Sequence, residues 1–417
     1  MLALSMLSAC GSSSSEDEST QETDASSGSA DSSSDAEVSA EIPEEALEDV
    51  VYYLTDGLLS ADDIVYTADG VDITAAYYFY WLTYEAYLYS QAYYNSYYVY
   101  PDITQEFSDG TTMADYVTTS AYNYMLSYVC AYAKASEAGL ELSGSYLEEY
   151  ESYYEESVYE AGEDLWDSAV YYGTVSEDDY TDEEKEEWIE TQGEYQMLLY
   201  LMYYCTTRDG IDDLYYYNEY FSLYRDTLYL EGGEYELSDE DIEDYIEEYD
   251  LYACRYILFG NTSSSAEITD EEYEEYEALA QECADELSSL SGDDLDAAVL
   301  EYAESYTAGN ACFSSSAEII DGLLDALEDM EEGDVAVTAQ TDYGYYVVVR
   351  DEVTRDTIIT ELEYSVEVSV AEAYYETLVS QWMEEAEVTD YGLLDDFDIY
   401  TFYENLTELR EIIDSVS

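Results

Sequence analysis

The chain has 417 residues, of which 103 are Asp or Glu, 8 are Lys or Arg and none is His, for a formal net charge of −95. Without histidine there is no Ser-His-Asp or Cys-His catalytic unit and no His-ligated zinc or haem site, and so negative a surface repels a phosphate backbone, which excludes nucleic-acid binding through a basic face. Yet 47% of the residues are apolar or aromatic, with 55 tyrosines and only 2 prolines, whereas disordered acidic tails are poor in aromatics. Most of the chain is therefore expected to bury a core, as two or three domains at this length.

Met1 to Ala9 is mostly small and apolar and runs into Leu7-Ser-Ala-Cys10-Gly11. This resembles a bacterial lipobox, in which the cysteine receives lipid and becomes the mature N-terminus. The run is short even for a signal peptide and carries no Lys or Arg, so the true start is expected upstream of Met1. Residues 11–37 hold little but Ser, Asp, Glu, Gly, Ala and Thr, a composition that stays solvated and extended. The reading is a signal remnant over 1–9, lipidation at Cys10 and an acidic Ser-rich linker over 10–45. It implies a bacterial protein tethered to the extracytoplasmic face of a membrane. The other cysteines, at 130, 205, 254, 283 and 312, are odd in number and lack C-x-x-C spacing, so they are expected as small buried hydrophobes.

Ordered sequence begins near Ile42. Asp63-Ile-Val-Tyr-Thr and Ala68-Asp-Gly-Val-Asp-Ile read as a hairpin with Asp69-Gly70 at its turn. Thr74 opens a helical pattern to about Tyr98, broken by Pro101, and Tyr77–Tyr100 holds eleven tyrosines. Tyrosine favours membrane interfaces over hydrocarbon, and Glu85 and Gln91 interrupt the run, so a helix among helices is expected rather than a membrane span. Capping boxes announce further helices: Ser145 with Glu148 before Tyr146–Ala161, Thr181 with Glu184 before a segment reaching Tyr204, and Ser238 with Asp241 before one ending near Tyr249. Gly110, Gly139, Gly162 and Gly210 are expected between helices. Residues 46–247 read as a mainly helical domain.

The pattern changes at 248–352. Tyr252–Phe259 is strand-like, and Thr269 with Glu272 caps a helix with Tyr276, Leu279, Ala280, Cys283 and Leu287 on one face. Leu295, Val299 and Tyr302 mark a second helix, Ala311–Ser314 an extended piece, and Ile319, Ile320, Leu323, Leu324 and Leu327 a third helix. Val335 and Val337 alternate, Asp342-Tyr-Gly344 turns, and Tyr345–Val349 alternates again. The order β-α-α-β-α-β-β predicts a compact α+β unit. Residues 353–417 return to helix, with Ser369 and Glu372 as a capping pair and Ala371, Tyr374, Leu378, Trp382 and Ala386 on one face.

These residues resemble the parvulin-type peptidyl-prolyl isomerase domain. Tyr252-Ala-Cys-Arg-Tyr-Ile-Leu258 corresponds to the family's A-x-H-I-L-like strand. Gly292-Asp-Asp-Leu-Asp-Ala-Ala with Glu301-Tyr302 corresponds to its G-x-x-F-x-x-L-A…E-Y helix, and Thr341-Asp-Tyr-Gly-Tyr-Tyr-Val-Val348 to its closing T-D-Y-G-Y-H-I-I. The hairpin at 68–74 before a long helix, and the helix at 369–388, resemble the chaperone part of PrsA- and SurA-type foldases. The resemblance implies an α+β protein in which N- and C-terminal parts build a helical chaperone domain. Inserted in it is a parvulin-like domain with a four-stranded antiparallel sheet. It implies isomerisation of X-Pro bonds in exported, unfolded polypeptides, with no cofactor and with the lipid anchor as the membrane contact. Phe313, Ile319 and Leu323 would line the proline slot.

The family's two facing histidines fall at Tyr256 and Tyr346, and its catalytic Cys or Asp falls near Glu304 or Ser305. Tyrosine hydroxyls can join a buried hydrogen-bond network but do not titrate near neutral pH as imidazole does. Three classes follow: a foldase with isomerase activity, a holdase that kept the fold and lost catalysis, and a tyrosine-rich surface-binding protein. The read-outs that separate them are isomerisation of a proline peptide and suppression of client aggregation. Phe313, Ile319 and Leu323 also have the helical spacing of ordinary core. Acidic clusters such as Asp239–Asp244 lack a D-x-D-x-D-G loop, so divalent cations are expected to associate only non-specifically.

Overall fold

The computed structural model of the protein describes residues 41–99, 101–108, 110–261, 268–316 and 322–416. The lipobox with Cys10, most of the linker and Ile319 lie outside them. In chain order the elements begin with α1 (Glu44–Glu48), α2 (Val50–Leu54), β1 (Ile64–Ala68), β2 (Val71–Thr74), α3 (Ala75–Tyr97) and α4 (Met113–Glu137). There follow α5 (Gly144–Tyr171), α6 (Asp182–Tyr203), α7 (Arg208–Tyr229) and α8 (Asp239–Glu248). Next come β3 (Leu251–Gly260), α9 (Asp270–Leu287), α10 (Asp293–Ala303), β4 (Thr307–Ser314), α11 (Leu323–Leu327), β5 (Val335–Val337) and β6 (Gly344–Asp351). The chain closes with β7 (Ile358–Ile359), β8 (Tyr364–Ser365), α12 (Val366–Glu385), β9 (Val388–Asp390) and α13 (Ile399–Val416). Contacts divide it into two compact units, one from 1–224 with 379–417 and the other from 225–378.

In the first unit the hairpin forms as the sequence indicates. Asp69 and Gly70 both take positive φ, 48° and 84°, the backbone a two-residue turn needs to match the strands' twist. The tail, expected as helix throughout, adds the strand β9, giving the order β2-β1-β9 with Tyr66 opposite Asp390. Thr74 caps α3 by accepting from the Tyr77 N–H at 3.2 Å, and every residue from Ala75 to Ala86 is buried. Tyrosines can fill this core because their ring edges meet neighbouring faces. Tyr77 meets Tyr217 edge-on at 5.2 Å, Trp81 stacks on Tyr128 at 5.3 Å, and Phe79 stacks on Phe402 of α13 at 5.0 Å. Tyr403 donates to the Leu82 carbonyl and Arg410 to the Tyr203 carbonyl, so the chain's C-terminal helix shares one core with α3. Glu85 lies in that buried half of α3, only 6% exposed.

Two expectations fail within α5. Its cap is Ser143, accepting from the Tyr146 N–H at 3.3 Å, instead of Ser145, and the helix runs straight through Gly162 to Tyr171. A Cβ on Gly162 would lie 2.0 Å from the Ile189 carbonyl oxygen, and one on Gly193 would lie 1.9 Å from that of Val158. The two glycines let the α5 and α6 backbones touch, and that contact outweighs a helix penalty of about 1 kcal/mol per glycine. Gly210 likewise sits inside α7.

The second unit has the expected order β-α-α-β-α-β-β over β3 to β6. Its four-stranded antiparallel sheet is ordered β4-β3-β6-β5. One face packs Ile257, Phe259, Val347 and Val349 against Ala280, Cys283 and Leu287 of α9 and Leu295 and Val299 of α10. Arg255 binds this face together, with its guanidinium on Asp351 of β6 and on Asp296 of α10. The helix α12 begins a turn before the expected Ser369 cap. Ser365 Oγ accepts from the Val368 N–H, and Ser369 Oγ instead donates back to the Ser365 carbonyl. The helix therefore buries Val366, Val370, Ala371 and Tyr375, and leaves Tyr374, expected on its inner face, 42% exposed. Arg225, itself buried, pairs with Asp226 and with Glu372 of α12. Cys130, Cys205, Cys254, Cys283 and Cys312 are all buried free thiols. Among the described residues no helix is long and apolar enough to cross a membrane.

Candidate functional site

The sheet's other face carries the candidate site. Side chains alternate along a strand, so Cys254, Tyr256 and Leu258 of β3 point together, as do Tyr346 and Val348 of β6. The antiparallel register sets Tyr256 opposite Val348 and Leu258 opposite Tyr346, leaving the two tyrosines diagonal on adjacent strands. Their rings meet edge to face with centroids 5.8 Å apart and planes at 76°. Phe313 of β4 and Leu323 and Leu327 of α11 join the same cluster. The fold thus brings together Tyr256, Tyr346, Phe313 and Leu323. Glu304 and Ser305 stand apart, exposed just after α10.

Burial separates the members. Tyr256 is half-buried, Tyr346 is 3% exposed, and Phe313 and Leu323 are each 1% exposed. Burial pushes the Tyr346 phenol up to about 12, so at neutral pH it stays protonated and able to donate. The Tyr346 backbone is fixed by Thr338: its N–H donates to Thr338 Oγ1 at 3.1 Å and its carbonyl accepts from the Thr338 N–H at 2.9 Å. The turn into β6 is closed by Thr341, whose hydroxyl donates to the Gly344 carbonyl at 2.9 Å. Among the described residues no group of three His, Cys, Asp or Glu could hold a metal ion; the side chains on this face offer apolar contact and hydrogen bonding by phenols.

No family model matches the chain, and no curated protein does. Solved structures that the chain matches weakly include PrsA from Bacillus subtilis, at 14% identity over 74% of this chain and 93% of that one, with a TM-score of 0.19. The foldase protein PrsA from Streptococcus pneumoniae matches at 14% identity over 62% and 85%, with a TM-score of 0.19. The peptidylprolyl isomerase PrsA from Bacillus cereus matches at 13% over 74% and 98%, with a TM-score of 0.18. At these values the α+β fold rests on the chain's own strand order and register.

Two features of the face escape sequence reasoning. Gly309 of β4 lies opposite Tyr256, and a Cβ there would come within 2.6 Å of the Tyr256 hydroxyl; the glycine is the seat of that ring. The signal was present in Thr307-Ala-Gly-Asn, the one glycine left in that strand. At the far end, the Arg350 guanidinium lies 4.3 Å above the Tyr252 ring, and its Nη1 is buried without a hydrogen-bond partner among the described residues. Only the register, which sets Arg350 opposite Cys254, places this cation on the same face as the tyrosine pair.

Proposed function

We propose that the protein is a lipid-anchored foldase on the extracytoplasmic side of a bacterial membrane, which isomerises X-Pro bonds in exported polypeptides and shields them while they fold. The observation that supports this best is the Tyr256–Tyr346 pair, edge to face at 5.8 Å above one sheet face beside Phe313 and Leu323. These are the positions where the parvulin-type domain carries its facing histidines and its proline slot. Prolyl isomerisation needs no covalent step; its barrier of about 18–20 kcal/mol is the lost imide resonance. A protonated phenol that donates to the twisted imide more strongly than to the planar one lowers that barrier. Tyr346 keeps its proton at neutral pH, and Tyr256, half-buried, is the phenol a peptide can reach. The parvulin-like part spans 248–352 and the chaperone part 46–247 with 353–417, and the anchor is Cys10.

A second reading has its own support. Phe313 and Leu323 are packed under the face, not open to it, as in a holdase that retained the fold without a proline seat. The deciding measurement is cis-to-trans conversion of a proline peptide by the full chain. The foldase reading expects acceleration that drops in Tyr256→Phe/Tyr346→Phe. A rate at background, with aggregation of a denatured client still suppressed, leaves the holdase. Background rates with no suppression overturn both.

A further inference from the structure

The C-terminal half of α3 departs from the rest of the chain. No charged residue lies between Glu85 and Asp102, in a protein with 27% charged residues. After the buried stretch ends, α3 presents rings instead. Phe107, Tyr116, Tyr89, Tyr93 and Tyr97 form a continuous ladder with successive centroids 6.2, 5.2, 6.1 and 4.6 Å apart. The ladder opens to solvent at its Tyr97 end, 63% exposed, and at Tyr116, 46% exposed, beside the half-buried Phe107, and Tyr98 next to it is 80% exposed. Asp102, Glu106 and Asp115 are exposed along the segment that carries Phe107 and Tyr116.

The chain itself shows what such rings hold. Of its eight Lys and Arg, four lie over an aromatic face: Lys185 on Trp166, Arg208 on Tyr154, Arg350 on Tyr252 and Arg410 on Tyr203. The ring ladder has no cation in its own sequence, yet it has the negative ring faces and flanking carboxylates that attract one. With a net charge of −95, the long-range field favours a positive partner as well. An apolar partner would gain only ring contact, and an acidic one would be repelled.

We propose that this tyrosine ladder is a docking surface for extended, arginine- and lysine-rich segments of client polypeptides, seated by cation–π contacts within an acidic rim. The proposal rests on the client-binding reading above and names the chemistry of the client. The test uses the full chain and fluorescence anisotropy of three labelled peptides of one length, alternating Ala with Arg, with Gln or with Glu, at physiological salt. The Arg peptide is expected to bind at least tenfold more tightly than the Gln peptide, and the Glu peptide not at all. Tyr97→Ser/Tyr116→Ser is expected to weaken Arg-peptide binding about five- to thirtyfold, the product of two exposed cation–π contacts. Tyr97→Phe/Tyr116→Phe, which keeps both ring faces, is expected to bind as the native chain does. Should the Ser variant lose its fold, Tyr97→Leu/Tyr116→Leu keeps the apolar bulk and is expected to lose the same affinity. Unchanged binding by the folded Ser or Leu variant means that carboxylates alone attract the peptide, and overturns the assignment. Equal binding of Arg and Gln peptides also overturns it. If the native chain still suppresses client aggregation in that case, the client-binding reading survives; if it does not, both fall.

Discussion

Glu85 offers the most direct test of how this acidic chain tolerates burial. It sits in the buried half of α3, 6% exposed, and burial raises its carboxyl to about 7 from an ordinary 4.5. The folded chain keeps this proton up to about pH 7, whereas the unfolded chain gives it up near 4.5. Between those values the folded state binds more protons, so its stability falls as pH rises through the window. Each pH unit of the window is worth about 1.4 kcal/mol, so ionised Glu85 costs the fold on the order of 3 kcal/mol at pH 8. Glu85→Gln removes the charge and leaves the shape. Thermal melts of the two proteins from pH 5 to 8.5 are expected to coincide most closely at the acid end, to diverge steadily up to about pH 7 and to keep a constant gap above it. By pH 8 the variant's Tm should lie higher by roughly 5–10 °C, given about 2–4 °C per kcal/mol for a unit of this size. Taking the difference between the proteins cancels the titration of the other carboxylates. A Tm difference that is constant across this range, or a variant less stable at pH 8 than at pH 5 relative to the native chain, refutes the reasoning.

Other perturbations probe other contacts. Gly193→Ala drives a methyl group into the Val158 carbonyl at 1.9 Å, so it should destabilise the first unit by at least about 1–3 kcal/mol, the usual cost of overpacking, read by urea denaturation. Glu372→Gln leaves the Arg225 guanidinium, 8% exposed, with only Asp226 as counter-charge. A loss of about 2–4 kcal/mol in the second unit is expected, and it exceeds the loss for Arg225→Ala plus Glu372→Ala only if the pair is net unfavourable. Phe313→Ala empties a fully buried site and should cost about 3–5 kcal/mol, whereas Gly309→Ala should displace the Tyr256 ring and be read as an altered tyrosine NMR shift with little change in Tm. Raising salt from 10 to 150 mM should raise the Tm of the whole chain by screening its self-repulsion; a melt indifferent to salt contradicts that.

The second unit was legible because its signals are local. A strand-like run marked β3 and alternation marked β5 and β6, and Thr269 with Glu272 and Ser238 with Asp241 form the capping boxes their spacing indicates. Ser145 with Glu148 and Ser369 with Glu372 do not. With so many carboxylates, a Ser three residues before a Glu arises by chance, and Ser143 and Ser365 take the caps instead. The strand β9 was hidden because nothing in Val388-Thr-Asp alternates inward; it exists by pairing with β1, more than three hundred residues earlier. Gly162 was read as a break because a helix seen alone has no neighbour for the glycine to admit. At the site, the tyrosine pair followed from its motif positions, but the depth of Phe313 did not: helical spacing groups it with Leu323, whereas it lies on strand β4 and is buried by packing with Leu323 and Leu327 of α11.

The five buried thiols give this chain an internal clock for its own opening. Burial pushes Cys130, Cys254 and Cys283 up to about 12 and Cys312 to about 11, with Cys205 raised as well. At pH 8 roughly one in ten thousand of the Cys130, Cys254 and Cys283 thiols, and one in a thousand of Cys312, is ionised, so exchange with a disulfide or an alkylating reagent is strongly suppressed at the buried thiols while the core stays shut. Cys130 and Cys205 belong to the first unit and Cys254, Cys283 and Cys312 to the second. The rate at which each is tagged by a thiol reagent therefore reports the breathing of one unit separately from the other, without a single added label.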